Sequence, residues 1–400
     1  MIATEQPSAG GPEILRAWPG TQSLVIGFAV AALLLTGCEG LRIDRFIRSA
    51  PEDWGTLGGL ATRANRTGSI LKPPLKEVWQ YNAGGGILAT PLVRDDVVLV
   101  CTLKGELHAV NFQNGKRIGF ISLDGSVAGT PVWNGVVAYI PISDEEETIE
   151  SVDLQNGSKN WVAKLGPSES SPLADGKFLY VTSLNGRLYC LNISDGSEVW
   201  NFKTGTDADR QPIRSSPATD GSTIVFGCDD GNIYGVSETD GTRKWKFETG
   251  QSVFASPIIT QGCAVVGSLD GKIYCLNLAT GLQAWSFDTR SRVFGNASTD
   301  GKTVFVGAAN DTCYALDVTN GSVVWKFNAK SVINSAPLVV GDLLYVGSLD
   351  KHIYALDIRT GSLLWSFEAD GRVKVSPVLW KGTLLVASED SYITALRGDQ

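Results

Sequence analysis

From about residue 76 to its C-terminus the sequence comes back into register with itself when shifted by about forty residues. A chain with that period folds as a stacked array, because one unit of that size cannot bury its own apolar faces. Two series of landmarks carry the period. Tryptophans stand at Trp79, Trp161, Trp200, Trp245, Trp285, Trp325 and Trp365, with Gly119 in the slot between the first two. A small residue followed by proline recurs at Thr90-Pro91, Thr130-Pro131, Ser171-Pro172, Ser216-Pro217, Ser256-Pro257, Ala336-Pro337 and Ser376-Pro377, with Asn296-Ala297 as the degenerate member. The two series interleave and define eight units.

Inside each unit, short runs rich in Val, Ile, Tyr and Phe alternate with the two-residue period of half-buried strands, as in Ile273-Tyr274-Cys275-Leu276. Between them stand Asn185-Gly186, Asp230-Gly231 and Asp270-Gly271, residues that accept the positive φ of tight hairpins. A two-residue turn at Asp270-Gly271 puts Cys275 opposite Val266 and away from Cys263. A second glycine turn, such as Asn320-Gly321, precedes every Trp slot after Trp79 by four residues. The Trp therefore opens a fourth strand. In Trp325/Phe327 the two aromatics share a sheet face and can pack against a neighbouring sheet.

Four antiparallel strands per unit, stacked radially, make a β-propeller, an all-β fold that leaves only short edges open. The last group of strands has no Trp strand after it, and the first Trp strand, Leu75 to Tyr81, has no group before it. Joining them gives an eight-bladed propeller whose last blade is completed by an N-terminal strand.

The pattern S-P…VGSxDGxIYALDxxTGxxxW, clearest over Ser256–Trp285 and Ala336–Trp365, resembles the PQQ-like (pyrroloquinoline-quinone-like) propeller repeat. The segment Asp53-Trp54-Gly55…Arg63…Arg66-Thr67-Gly68…Pro73-Pro74-Leu75…Trp79 resembles the lead-in ahead of such repeats in bacterial envelope proteins. The resemblance covers residues 53 to about 397.

Ahead of it, Ser23–Leu35 is an apolar run with the length of a signal-peptide core, ending in Leu35-Thr36-Gly37-Cys38. That ending resembles a bacterial lipobox, which implies cleavage before Cys38 and its lipidation. The expected organisation is a lipoprotein signal peptide over 1–37, a tether and lead-in over 38–74, and a propeller over 75–400.

Few residues offer chemistry. The two histidines, His108 and His352, fall on third strands of different blades and read as packed or rim residues. Besides Cys38 there are six cysteines with no CxxC and no adjacent pair, which read as buried thiols. The Asp-Gly pairs are explained by turn chemistry and do not make calcium loops. No catalytic, cofactor-binding or metal-binding residue is expected, and the net charge of −8 argues against nucleic acid or an anionic membrane surface as the main partner. The repeat breaks at two places: Asp144, Glu145, Glu146 and Glu147 lengthen one hairpin, and Thr204–Pro212, with Asp207, Asp209 and Arg210, lengthens one connection. Propeller connectivity puts both on one face, making it a candidate partner surface.

A single eight-bladed propeller behind a lipobox is similar to the BamB family. That resemblance implies a non-catalytic, lipid-anchored envelope scaffold facing the periplasm. Its protein partner would be a subunit of the outer-membrane barrel-assembly machinery. Two other functions fit a PQQ-like repeat: a ligand-binding or sensory protein, and a quinoprotein dehydrogenase, whose quinone stacks on a disulfide between adjacent cysteines beside an Asp base and calcium. This chain has no Cys-Cys pair.

Overall fold

The computed structural model describes residues 40–43, 53–144, 147–206 and 208–398. The chain divides into two units, residues 1–38 and 39–400, and every described residue belongs to the second. Cys38, Glu145, Glu146 and Asp207 lie outside the described residues.

The repeat folds as eight antiparallel blades, with no helix among the described residues. One blade stands for the rest: a three-residue inner strand, Ile258–Thr260, then Cys263–Gly267, Lys272–Asn277 and the outer strand Gln283–Asp288. The middle strands are almost wholly buried because a blade stacks on each side. The outer strand alternates, with Trp285 and Phe287 turned inward between exposed neighbours. Leu75–Asn82 pairs with Tyr392–Gly398, Trp79 opposite Ala395, so the ring closes through its N-terminal strand as expected.

Four blades grip the next through an indole hydrogen bond. The Trp285 indole N–H donates to the Val318 carbonyl at 2.9 Å, and Trp79, Trp245 and Trp325 do the same to Phe112, Leu278 and Ile358. The indole lies so close to the next glycine turn that a Cβ on Gly321 would sit 2.6 Å from the ring. Gly321 also has φ +72°, so steric room and backbone conformation both require glycine there.

Gly119 breaks that series, and the N-terminal segment repairs it. A Cβ at Gly119 would meet the Gly40 carbonyl oxygen at 2.8 Å, because residues 40–43 run through the space that a Trp would fill. Leu41 and Ile43 are 1% and 2% exposed, in a cluster with Ala109, Ile121 and Leu154. The Ile43 backbone N–H donates to the Leu154 carbonyl at 3.1 Å, in the place of an indole N–H. Leu154 precedes Gly157 by three residues, as Val318 precedes Gly321.

The hairpins between second and third strands are one residue longer than expected. Gly267 pairs with Ile273 and Val265 with Cys275, leaving Leu269-Asp270-Gly271 in the turn with Gly271 left-handed at φ 90°. Such a three-residue turn shifts the register by one. Cys275 therefore opposes Val265 rather than Val266, and Cys263 lies diagonally across on the same face. The two thiols face each other within interaction range, contrary to the sequence expectation.

Where it is described, the expected tether is built into the propeller. Residues 53–67 wind around the axis and touch every blade. Trp54 and Gly55 bond through their backbones to Val93 and Trp133; Ala61, Thr62, Ala64 and Asn65 bond to Thr219, Ile259, Thr299 and Val339. Arg66–Thr67 adds a parallel strand to Leu338–Val340. The Trp54 indole reaches the Leu379 carbonyl at 2.8 Å, and the Arg63 guanidinium reaches the carbonyls of Ser171, Pro172 and Pro217. All these groups were left open by the innermost strands, whose inward edges would otherwise be unpaired. The lead-in is an axial plug.

Candidate functional site

The propeller has two unlike faces. The turn face carries the short turns after each inner strand, the glycine turns before each Trp slot, and the plug. The hairpin face carries the hairpins between second and third strands and the loops from blade to blade. The plug closes the axis from the turn face, and the blade-to-blade loops ring its mouth on the hairpin face.

At the axis the small residue before each proline has a structural use. The side-chain oxygens of Thr130, Ser171, Ser216, Ser256 and Asn296 each accept the backbone N–H of the equivalent residue in the preceding blade, at 2.7 to 3.0 Å. A hydroxyl or amide oxygen is needed for that bond. Ala336 has none, so the relay stops there and resumes from Ala336 N–H to the Ser376 hydroxyl at 3.2 Å. Between this ring and the plug remains a void of about 10 Å³, lined by Arg63, Asn65, Ser256, Asn296 and Ala336 among others. It has room for about one water.

Two residues ahead of each small residue, one side chain per blade rings the mouth: Leu88, Ala128, Glu169, Arg214, Phe254, Phe294, Asn334 and Lys374. Arg214 is the hub. It bonds to Glu169 of one neighbouring blade, to Asp229 at 3.1 Å, and lies over the Phe254 ring at 5.7 Å. Burial works against its charge, but the Glu169 and Asp229 carboxylates outweigh it and raise its pKa. For Asp229 burial wins, and its pKa rises despite Arg214. Across the mouth Lys374 bonds to Glu389 at 2.9 Å. The sequence reading missed this ring because its letters differ from blade to blade. Its signal is positional, a fixed offset from the small-residue-proline landmark.

The two repeat breaks lie on this same face, as connectivity implies. Asp144 is not a free charge; its carboxylate accepts the Ser126 N–H and hydroxyl, both at 2.7 Å. Glu147 opens the strand Glu147–Asp153. Asp209 accepts the Thr206 hydroxyl within its own loop, and the Arg210 guanidinium donates to the Asn185 carbonyl at 2.9 Å. The longer connection thus folds back over the neighbouring hairpin at Asn185-Gly186. His108 is packed between Tyr81 and Phe120, and His352 stacks on Tyr354.

A quinone and its metal do not fit these residues. The six cysteines among the described residues are free and none adjoins another in sequence. No group of three His, Cys, Asp or Glu among the described residues converges to hold a metal ion. The plugged axis keeps a water-sized void beneath the small-residue ring, and the larger clefts beside the plug, lined by Asp53, Trp54, Arg66 and Lys381 or by Asp53, Arg94 and Trp133, bring together no cysteine pair and no cluster of metal ligands among the described residues.

Comparison with known proteins bears on the same question. Residues 145–291 and 269–400 match the family described as outer membrane protein assembly factor BamB. BamB of Shewanella oneidensis is 28% identical over 166 residues, covering 37% of this chain and 40% of that protein. BamB of Vibrio cholerae is 28% identical over 141 residues, covering 31% of this chain and 36% of that protein. The chain thus spans about two fifths of the length of the curated relatives it matches. Among solved structures, BamB from Moraxella catarrhalis superposes with a TM-score of 0.67 at 18% identity, covering 81% of this chain and 100% of that one. A quinohemoprotein alcohol dehydrogenase from Comamonas testosteroni superposes at 0.73 with 12% identity, covering 88% and 82%. Both likenesses speak for the fold alone, since a propeller serves enzymes and scaffolds alike. With the repeat letters, the eight closed blades and a family match over residues 145–400, the chain belongs to the PQQ-like propeller family described as outer membrane protein assembly factor BamB.

Proposed function

We propose that this chain is a non-catalytic, lipid-anchored scaffold of the bacterial envelope that supports outer-membrane β-barrel assembly through protein contacts on its hairpin face. The observation that carries this reading is the plugged axis. In a fold shared with dehydrogenases, the channel is occupied by the chain's own residues 53–67, and the mouth keeps a ring of charged and aromatic groups with no metal cluster among the described residues. Such a ring suits a protein partner. Arg214 with Phe254 joins a fixed guanidinium to an aromatic, the residue types enriched at interface centres, and the carboxylates beside it supply directional acceptors. Lipidation of Cys38 and the outer membrane as the site of anchoring belong to this proposal.

The test is purification of the full chain from its own envelope in mild detergent, followed by mass spectrometry of what stays bound. The expected result is an outer-membrane barrel-assembly subunit that is retained by the native chain and depleted at least ten-fold by Arg214→Glu. Its recovery from the membrane fraction falls with Cys38→Ala. A preparation with no such subunit that instead shows quinone absorbance overturns the reading.

A further inference from the structure

We propose that the turn face is a lipid-contacting surface and that the propeller sits with this face on the bilayer and its hairpin face away from it. Of the large hydrophobic side chains exposed among the described residues, all but Leu103 lie on the turn face or at its rim. Six of them gather on consecutive blades: Leu282, Val323, Val324, Leu363 and Leu364 follow the glycine turns of three neighbouring blades, and Ile70 projects beside the last of these. Leu282 is 70% exposed and Ile70 75%. Ile70 and Leu364 flank an open groove of about 600 Å³. The row continues with Val78 and Ile118 in the same slots of the next two blades, Val199 stands apart on another blade, and the slots elsewhere hold Lys159 with Asn160 and Arg243 with Lys244. Apart from Val199 the aliphatic side chains therefore form one arc over five consecutive blades, and an arc of that kind marks a surface that meets something apolar.

The chain's own course says which apolar partner. Residues 40–43 are locked into the rim of the turn face, with the Ile43 N–H on Leu154 and Leu41 buried against the Gly157 turn. Only Glu39 and Gly40 separate Leu41 from Cys38, so a lipid on Cys38 can lie no more than about 11 Å of extended chain from Leu41. An anchor on so short a lead holds this rim, not the hairpin face, at the membrane. Several acyl chains on one cysteine hold a chain at a bilayer but leave its tilt free. The aliphatic arc supplies a second attachment and sets the tilt. The acidic loop around Asp144 then points away from anionic headgroups, and the charged mouth stays open to a protein partner. This inference rests on the anchored-scaffold reading for its anchor, and on the arc alone for its surface.

The test is built on the arc, so that it does not depend on lipidation. The closed ring, its plug and its buried clusters all lie within the second unit, so a chain beginning at Glu39 is a self-contained folding unit. It is mixed with phosphatidylethanolamine–phosphatidylglycerol vesicles at millimolar lipid, and co-sedimentation and amide hydrogen exchange are measured. The expected result is co-sedimentation with slowed exchange at 68–71, 282–285, 323–325 and 363–365, while the hairpins at 103–106 and 184–187 are unchanged. Combining Ile70→Ser, Leu282→Ser, Val324→Ser and Leu364→Ser, all at exposed positions, is expected to leave the melting temperature in place and lower vesicle partition at least ten-fold. No co-sedimentation, equal partition of the variant, or slowed exchange on the hairpin face overturns the inference. So does slowing at the arc without vesicles that grows with protein concentration, which would mean that a second copy covers it. None of these outcomes touches the scaffold reading, whose co-purification test probes the opposite face.

Discussion

At the scale of single residues, the thiol pair Cys263–Cys275 is the sharpest consequence of the hairpin turns. Cys275 is buried, and the interaction of the two thiols lowers the Cys263 pKa to about 7 while it and burial push Cys275 upward. Cys101, Cys190, Cys228 and Cys313 are all buried, with pKa values raised by desolvation. Thiolate is the reactive form, so Cys263 should take iodoacetamide first at pH 7.5. Peptide mapping after brief labelling is expected to find Cys263 modified at least ten-fold faster than the other five, and equal rates would show that the pair does not form. Nothing in the letters foretold this, because a turn one residue longer leaves no mark beyond the same Asp-Gly. Arg63 makes the complementary point. It is 3% exposed and has carbonyls rather than a carboxylate around its guanidinium. Removing it by Arg63→Ala leaves several buried carbonyls unpaired at about 1–3 kcal/mol for each such group. The expected loss is about 3 kcal/mol or more in urea unfolding of the soluble propeller.

At the scale of elements, what could be read from the sequence was what repeats. Blade number, strand order, the closing strand and the face of the two long loops followed from periodic letters, because each letter answers to a periodic need: indole against glycine, or hydroxyl against the neighbouring backbone. The plug could not be read in that way. Its links to Thr219, Ile259, Thr299 and Val339 run between backbones, which any side chain permits. The strap at 40–43 left a clue at Gly119, the one Trp slot without an aromatic, but not the identity of the segment that fills it. That substitution can be tested by exchange. Leu41→Asp puts a charge into a closed cluster and is expected to cost about 3 kcal/mol or more. Gly119→Trp in the intact chain collides with the Gly40 carbonyl and is also expected to destabilise. In a chain starting at residue 44, the same Gly119→Trp should recover stability by refilling the slot, and thermal unfolding of the four proteins measures the cycle. If Gly119→Trp fails to rescue the shortened chain, the strap is not a stand-in for the missing indole.

For the molecule as a whole, the weak point of a ring is its seam. Blades meet elsewhere through a Phe of one outer strand edge-on to a Tyr of the next blade, as in Phe247–Tyr274 at 5.2 Å and Phe327–Tyr354 at 5.2 Å. At the seam, where the N-terminal strand meets the first blade, the pair is Tyr81 and His108, with the phenol bonded to His108 Nδ1 at 2.8 Å. Glu106 lies 3.3 Å from His108 Nε2, and Arg117 acts on both rings' charge states. Burial lowers the His108 pKa below its usual value, and Arg117 adds to this while Glu106 opposes it. In the window between the lowered folded value and about 6.5, the unfolded chain binds the proton that the folded chain refuses. Stability is therefore flat above about pH 6.5, falls as the pH drops from there to the folded value by up to about 1.4 kcal/mol per pH unit, and levels off below it. The repeat suggests the control. Replacing Tyr81→Phe, His108→Tyr and Lys104→Asp together rebuilds the ordinary contact, in which Tyr274 donates to Asp270 and Tyr354 to Asp350. Urea midpoints from pH 7.5 to 5.0 should fall more steeply for the native ring than for the rebuilt one. Matching slopes would mean that the seam does not titrate, and that acid sensitivity in the propeller comes from carboxylates spread around the ring.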